Sequence, residues 1–257
     1  MSSIRRRLDV IGAVILRDMR TRYGRSHFGY VIAILWPLSH LAALTAVFTF
    51  LRRSAPIFGT DNAVFLATGV LPYILVLYPS RMTSIAIDMN KALFIFPAVS
   101  ALDIIIARVI VEFLTAFVVV IIFAAGCALL GVNIIPNDLR IAAAAIFATV
   151  YLSICFGLLS TIIVSLMDFW KVLLLLLLIV AYLTSGVFLP MSTLSPDLQH
   201  ILSYNPLTHC VEWLRSAYFI GYGETFISRP YVFWTATTML FLCLVGERFI
   251  RGRLMLQ

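Results

Sequence analysis

The chain reads as an all-α polytopic membrane protein with six transmembrane helices, and three observations say so. Hydrophobic residues make up 62% of its 257 residues and charged ones 12%, where soluble domains run near half apolar and a quarter charged. Six apolar stretches approach the roughly 20 residues that cross a hydrocarbon core. The basic residues gather beside those stretches, not on a separable soluble domain. The net charge of +7 therefore speaks for membrane topology and against nucleic acid as a partner.

The first element, within residues 1–29, is an amphipathic helix. Ile4, Leu8, Ile11, Ile15 and Met19 recur at spacings of three and four and share one face, with Arg6, Asp9, Arg17 and Arg20 on the other side. Such a helix lies in the headgroup region of membrane lipids, and its arginines favour an anionic inner surface. Arg5-Arg-Arg7 before Leu8–Leu16 imitates a secretory signal. Asp9 interrupts its apolar run, Arg17 ends it, and no small-x-small site follows, so cleavage is not expected.

The apolar spans are 30–51, 63–81, 104–130, 141–166, 170–189 and 231–247, all within one domain covering 1–257. Pro72 and Pro79 interrupt the second, and Gly126 and Gly131 mark the end of the third. With both termini inside, 14 of the 19 lysines and arginines lie on the inner side. Only Arg52, Arg53, Arg140, Arg215 and Arg229 lie outside, so the positive-inside rule favours cytoplasmic termini.

The outer region 190–230 is too apolar for a loose loop and too interrupted to span. Ser195-Pro-Asp197 and Asn205-Pro206 each start a helix with proline in its first turn. The two short helices either dip into the outer leaflet, where protein buries the backbone, or lie flat in the interface. Periodicity leaves both open, and 231–257 returns the chain to the inner side.

Several chemistries lack their residues. A phosphate-binding P-loop needs Gly-Lys, but Lys91 follows Asn90 and Lys171 follows Trp170. His27, His40, His200 and His209 form no HExxH pair, and no GxSxG elbow appears. Cys127, Cys155, Cys210 and Cys243 contain no CxxC pair, so neither a metal site nor a disulfide framework is indicated. No catalytic residue is assigned.

Charges within or beside the spans are the remaining candidates. His40, one turn beyond Pro37, is either functional or a histidine satisfied by a neighbouring helix. Arg108 and Glu112, spaced i, i+4, read as a structural pair. Glu212 and Arg215, i, i+3 on the second outer helix, read the same way.

Leu16-Arg-Asp-Met-Arg-Thr-Arg-Tyr-Gly-Arg25, Gly29-Tyr30 and Ile34-Leu-Trp-Pro37 resemble the N-terminal signature of ABC-2 type permeases. More narrowly, they resemble the permease subunits of capsular polysaccharide exporters. Asp103-Ile-Ile-Ile-Ala-Arg108 with Glu112, and Asn205-Pro-Leu-Thr-His209 with Glu212 and Arg215, extend the resemblance over nearly the whole chain. Two features depart from it: relatives often carry a Trp near Ile32 and a polar residue where Trp36 stands.

The resemblance implies a transport subunit and not an enzyme. It implies a homodimer in the bacterial inner membrane with two ATP-binding cassette subunits, which bind the ATP and Mg; this chain binds no cofactor itself. The substrate is a lipid-linked capsular or related surface polysaccharide, with a periplasmic co-polymerase and outer-membrane export proteins as further partners. O-antigen and teichoic-acid exporters share this architecture; a drug-efflux permease and an intramembrane glycolipid enzyme are the more distant alternatives.

It also implies residue roles. Arg17, Arg20, Arg22, Tyr23 and Arg25 lie where the lipid headgroup arrives, and Trp36, His40, Tyr182 and Ser185 lie on the translocation path. Asn90, Lys91, Leu93 and Phe94, with Asp168 and Lys171 of the tight turn after span four, contact the ATPase. Asn205, Pro206, His209, Glu212 and Arg215 form an outer gate.

Overall fold

The computed structural model describes residues 3–21, 29–51, 62–222 and 224–254, and among these all regular structure is helical. Its α-helices in order are α1 (Ser3–Thr21), α2 (Gly29–Leu51), α3 (Asn62–Ser84), α4 (Ala86–Met89), α5 (Ala101–Leu129), α6 (Leu139–Leu166), α7 (Trp170–Thr184), α8 (Pro196–Leu202), α9 (Pro206–Tyr218) and α10 (Arg229–Leu254). A 3-10 turn, Lys91–Ile95, follows α4. Among the described residues five helices, α2, α3, α5, α6 and α10, are long and apolar enough to cross a membrane.

The centre is α3, whose apolar window is 83% buried against 22% for that of α2. It packs against α2, α5, α6 and α9, and α10 covers the other side of α6. Small residues make the α3–α6 contact close. A Cβ on Gly157 would stand 3.1 Å from Ser80 Cα and Thr83 Cβ, the spacing that lets membrane helices approach. Thr161 Oγ1 donates to Thr83 O at 2.9 Å across the same contact.

Pro72 and Pro79 do not break α3, contrary to the sequence expectation; both lie inside a continuous 23-residue helix. Helix-breaking residues are tolerated where neighbouring helices and hydroxyls serve the backbone. Around Pro79, Ser80 Oγ and, from α6, Ser153 Oγ both donate to Val76 O.

The helix starts follow local chemistry. Ser100 and Asp103 form a reciprocal capping box at α5. Asp138 caps α6 by accepting from Arg140 N and Ile141 N. The fifth span is shorter than 170–189: α7 has 15 residues and stops at Ser185 before Gly186, whose φ of +73° ends the helix. At ~1.5 Å per residue α7 rises about 22 Å, less than the ~30 Å of a typical hydrocarbon core.

The two short helices begin where expected but differ in surroundings. Nearly every side chain of α9 is buried, packed against α3 and α6, whereas α8 buries none.

Candidate functional site

Two polar regions stand at opposite ends of the bundle. The first is built where α1 rests on α5 and on the loop that follows α4. Val14 joins Ala86, Leu93, Ile104 and Ala107 in a small core, with Val10, Ile11, Ile15 and Phe94 packed on it. The stripe of α1 that meets the protein overlaps only part of the apolar face read from its periodicity. Ile11 and Ile15 pack on this core, Val14 and Asp18 are buried, and Leu8 and Met19 of the same apolar face are exposed. The side chain of Ile4 lies outside the described residues.

Asp18 ties this stripe to α5. Its Oδ2 accepts from Arg108 Nη1 at 2.9 Å, and Arg108 Nε stands 3.3 Å from Glu112 Oε1. Arg108 is only 1% exposed, with the sulfurs of Met82 and Met89 at 3.6 and 3.4 Å from Nη2. The expected Arg108–Glu112 pair is thus two members of a buried triad. Asp18 escaped the sequence reading, although Ile11, Val14 and Asp18 follow helical spacing and place one carboxylate on an apolar stripe.

Among the headgroup candidates, Arg17 donates to Asn90 Oδ1 at 2.9 Å and Arg20 is exposed. Arg22, Tyr23 and Arg25 lie outside the described residues. Asn90 is buried and donates back to Ala86 O at 3.0 Å, so α1 and the loop are hydrogen-bonded together.

The loop divides its side chains by burial. Leu93 is 9% exposed and Phe94 is half-buried, both turned to α1. Ile95 and Phe96, which the sequence reading passed over, are 81% and 56% exposed. Lys91 pairs with Asp88 at 3.2 Å, and Lys171 reaches Asp88 at 2.5 Å and Asp168 at 2.8 Å. The turn between α6 and α7 is thereby joined to the loop. Burial alone would raise the Asp88 carboxyl; hydrogen bonds and charge from Lys171 and Lys91 outweigh it and hold it below its ordinary value. The pairing contributes above the unfolded carboxylate pKa of ~3.9 and is lost as pH falls through the lower folded value, so it is intact at neutral pH.

Midway along the bundle, Trp36 is 66% exposed on α2 and borders a cavity of about 230 Å³ between α2, α3 and α5, to which Tyr78, Arg81 and Glu112 bring polar groups. His40 Nδ1 lies 3.1 Å from Tyr78 Oη. Tyr182 stacks on Tyr73 with ring centres 3.9 Å apart, and Ser185 is buried, donating to Tyr182 O. Of the four path candidates, only Trp36 presents a largely open side chain.

The second polar region surrounds α9. Asn205 caps it by accepting from Leu207 N, and donates to Ala181 O at 2.8 Å and Thr184 Oγ1 at 2.9 Å of α7. Pro206 takes the first helical position, where its missing N–H costs nothing. Arg215 is wholly buried and pairs with Glu212 at 3.1 Å. It also donates to Gly186 O and Val187 O, each at 2.6 Å, under the ring of Phe65 at 3.8 Å. Tyr222 Oη donates to the same Glu212 oxygen at 2.8 Å. His209 Nδ1 accepts from Ser228 N, which leaves Nε2 to donate to Ser203 O at 2.9 Å from a neutral ring.

The guanidinium of Arg215 depends on a glycine. A Cβ at Gly69 would stand 2.7 Å from Arg215 Nη2 and 3.0 Å from Val187 O. Gly69→Val is expected to displace Arg215 from its carbonyls and lower the melting temperature in detergent, whereas Gly12→Ala, inside α1 with open space at its Cβ, does not lower it.

Residues 9–219 match the ABC-2 type transporter family. The chain is 30% identical over 240 residues to the polysialic acid transport protein KpsM of Escherichia coli, covering 93% of this chain and 92% of that protein. It is 28% identical over 239 residues to the capsule polysaccharide export inner-membrane protein CtrC of Neisseria meningitidis serogroup B, covering 92% and 88% of the two. Over 242 residues it is 27% identical to the capsule polysaccharide export inner-membrane protein BexB of Haemophilus influenzae, again covering 92% and 88%. With most of its length matched to the family and its helices arranged in one membrane bundle, the chain belongs to the ABC-2 type transporters.

Proposed function

We propose that the chain is the membrane-spanning permease subunit of an ATP-driven exporter that carries lipid-linked capsular polysaccharide across the bacterial inner membrane. One observation carries this reading: similarity to the polysialic acid transport protein KpsM and to the capsule polysaccharide export inner-membrane proteins CtrC and BexB extends over more than nine-tenths of the chain. The α1 end supports it with an exposed apolar loop tip, Ile95 and Phe96, on a loop anchored to α1 and joined to α7.

In this reading both termini and the α1 end are cytoplasmic, and two copies of the chain pair with two ATP-binding cassette subunits. Those subunits bind ATP and Mg and press on the loop tip. Exposed apolar faces of α2 (Ile32, Leu35) and α7 (Leu176, Val180) suit a homodimer whose opening forms the path. The anionic lipid headgroup arrives beside Arg17 and Arg20, and the glycan leaves past α8 and α9 toward a periplasmic co-polymerase and an outer-membrane exporter.

Deleting the gene tests the reading. The expected result is a bare cell surface with lipid-linked glycan held on the cytoplasmic side. A normal capsule in the deletion strain overturns it, and a drug-sensitive strain with an intact capsule identifies an efflux permease instead.

A further inference from the structure

The helix α7 is held very differently at its two ends. At the α9 end, Asn205 bonds Ala181 O and Thr184 Oγ1, Thr208 Oγ1 donates to Thr184 O at 3.2 Å, and Arg215 grips the carbonyls of Gly186 and Val187 just beyond. Between the ends, one stripe of Leu174, Leu178 and Tyr182 is buried while the opposite face is open. At the α1 end, Lys171, the second residue of α7, reaches Asp88 of α4 at 2.5 Å. A short helix pinned at one end and packed along a single stripe is a lever, and Lys171 is placed where a force would act on it.

Asp88 lies on α4, which leads directly into the loop that ends in the exposed Ile95 and Phe96. We propose that the Asp88–Lys171 ion pair is the link by which displacement of this loop swings α7 about its pinned end, so that Lys171 is a positioning residue of the transport cycle and not a contact to the ATPase. The proposal rests on the reading of the loop as the ATPase-facing element. A charge-assisted contact of this length is directional and short enough to transmit a displacement. Its side chains remain 37% and 26% exposed, and pairs so placed add little to stability. Cutting the link therefore leaves the fold standing and removes only the transmission.

The experiment uses the full exporter, this chain with its ATPase subunits, reconstituted in lipid vesicles and expressed in cells. Lys171→Met and Asp88→Asn are each expected to melt close to the wild-type temperature while glycan exported per ATP hydrolysed falls severalfold. In the double variant Asp88→Cys/Lys171→Cys, export per ATP falls severalfold as well, and a short bismaleimide bridging the two thiols restores it whereas a long flexible one does not. Wild-type export from Lys171→Met overturns the link, as does failure of the short bridge to restore the double variant. A parallel Ile95→Asp/Phe96→Asp variant separates the two readings. If it too exports normally, the docking role of the loop fails; if it alone is defective, only the link to α7 fails.

Discussion

Arg108→Met is expected to strip most of the folded protein from the membrane. Arg108 is buried between Asp18 and Glu112, at 2.9 and 3.3 Å, and a thioether in its place leaves two carboxylates enclosed without their cation. Removing one partner of a buried ionic group costs about 3–5 kcal/mol, a large share of the ~5–15 kcal/mol that holds a typical domain folded. The loss falls first on α1, because Asp18 joins that helix to α5 through Arg108. Limited proteolysis should cut the N-terminal helix in Arg108→Met under conditions that spare the wild type. The triple variant Asp18→Leu/Arg108→Met/Glu112→Leu is expected to regain folded yield, since apolar side chains of similar volume replace buried ionic groups at little or no cost. A wild-type melting temperature for Arg108→Met alone would remove the triad from the account of stability.

Ile95→Asp with Phe96→Asp is expected to abolish surface glycan while leaving the chain folded and inserted. Both side chains are exposed at the loop tip, so charging them disturbs no packing of this chain. It places two carboxylates where the proposed ATPase subunit would bury apolar surface, and burying an unpaired charge is far more costly than leaving it in water. Co-purification of the ATPase subunit with the permease is the measurement; retention of both the complex and export would exclude this tip as the docking surface. Leu93→Asp behaves differently. Leu93 lies in the small core beneath α1, so its replacement lowers folded yield before any contact with a partner is in question. The distinction matters because the resemblance assigns Leu93 and Phe94 to the ATPase contact, yet their side chains turn to α1.

Much of the architecture was legible residue by residue. The spans of α2, α5, α6 and α10 follow from apolar runs, and the starts of α8 and α9 from Ser195-Pro196 and Asn205-Pro206. These are local signals, set by side-chain transfer into lipid and by backbone groups within one turn. Where the sequence reading missed, a neighbour outside the local window had overruled the signal. Pro72 and Pro79 both sit inside α3, and around Pro79 the hydroxyls of Ser80 and, from α6, Ser153 serve the carbonyl of Val76. The helix α7 stops early because Gly186 turns the chain so that its carbonyl and that of Val187 meet Arg215.

Composition, hydropathy and the placement of arginines determined by themselves that this is a helical membrane protein with an amphipathic helix ahead of its first span. The family signature in the same residues pointed to the ABC-2 transporters, to which the chain belongs. Only the tertiary structure decided which charges meet. Asp18 and Arg108 lie 90 residues apart, and Arg215 and the carbonyl of Gly186 lie 29 apart. A helix period states which face a side chain occupies but not which helix stands opposite. In a low-dielectric interior that opposite neighbour determines whether a charge is tolerated, and so it determines which arginines are structural and which remain exposed for a partner.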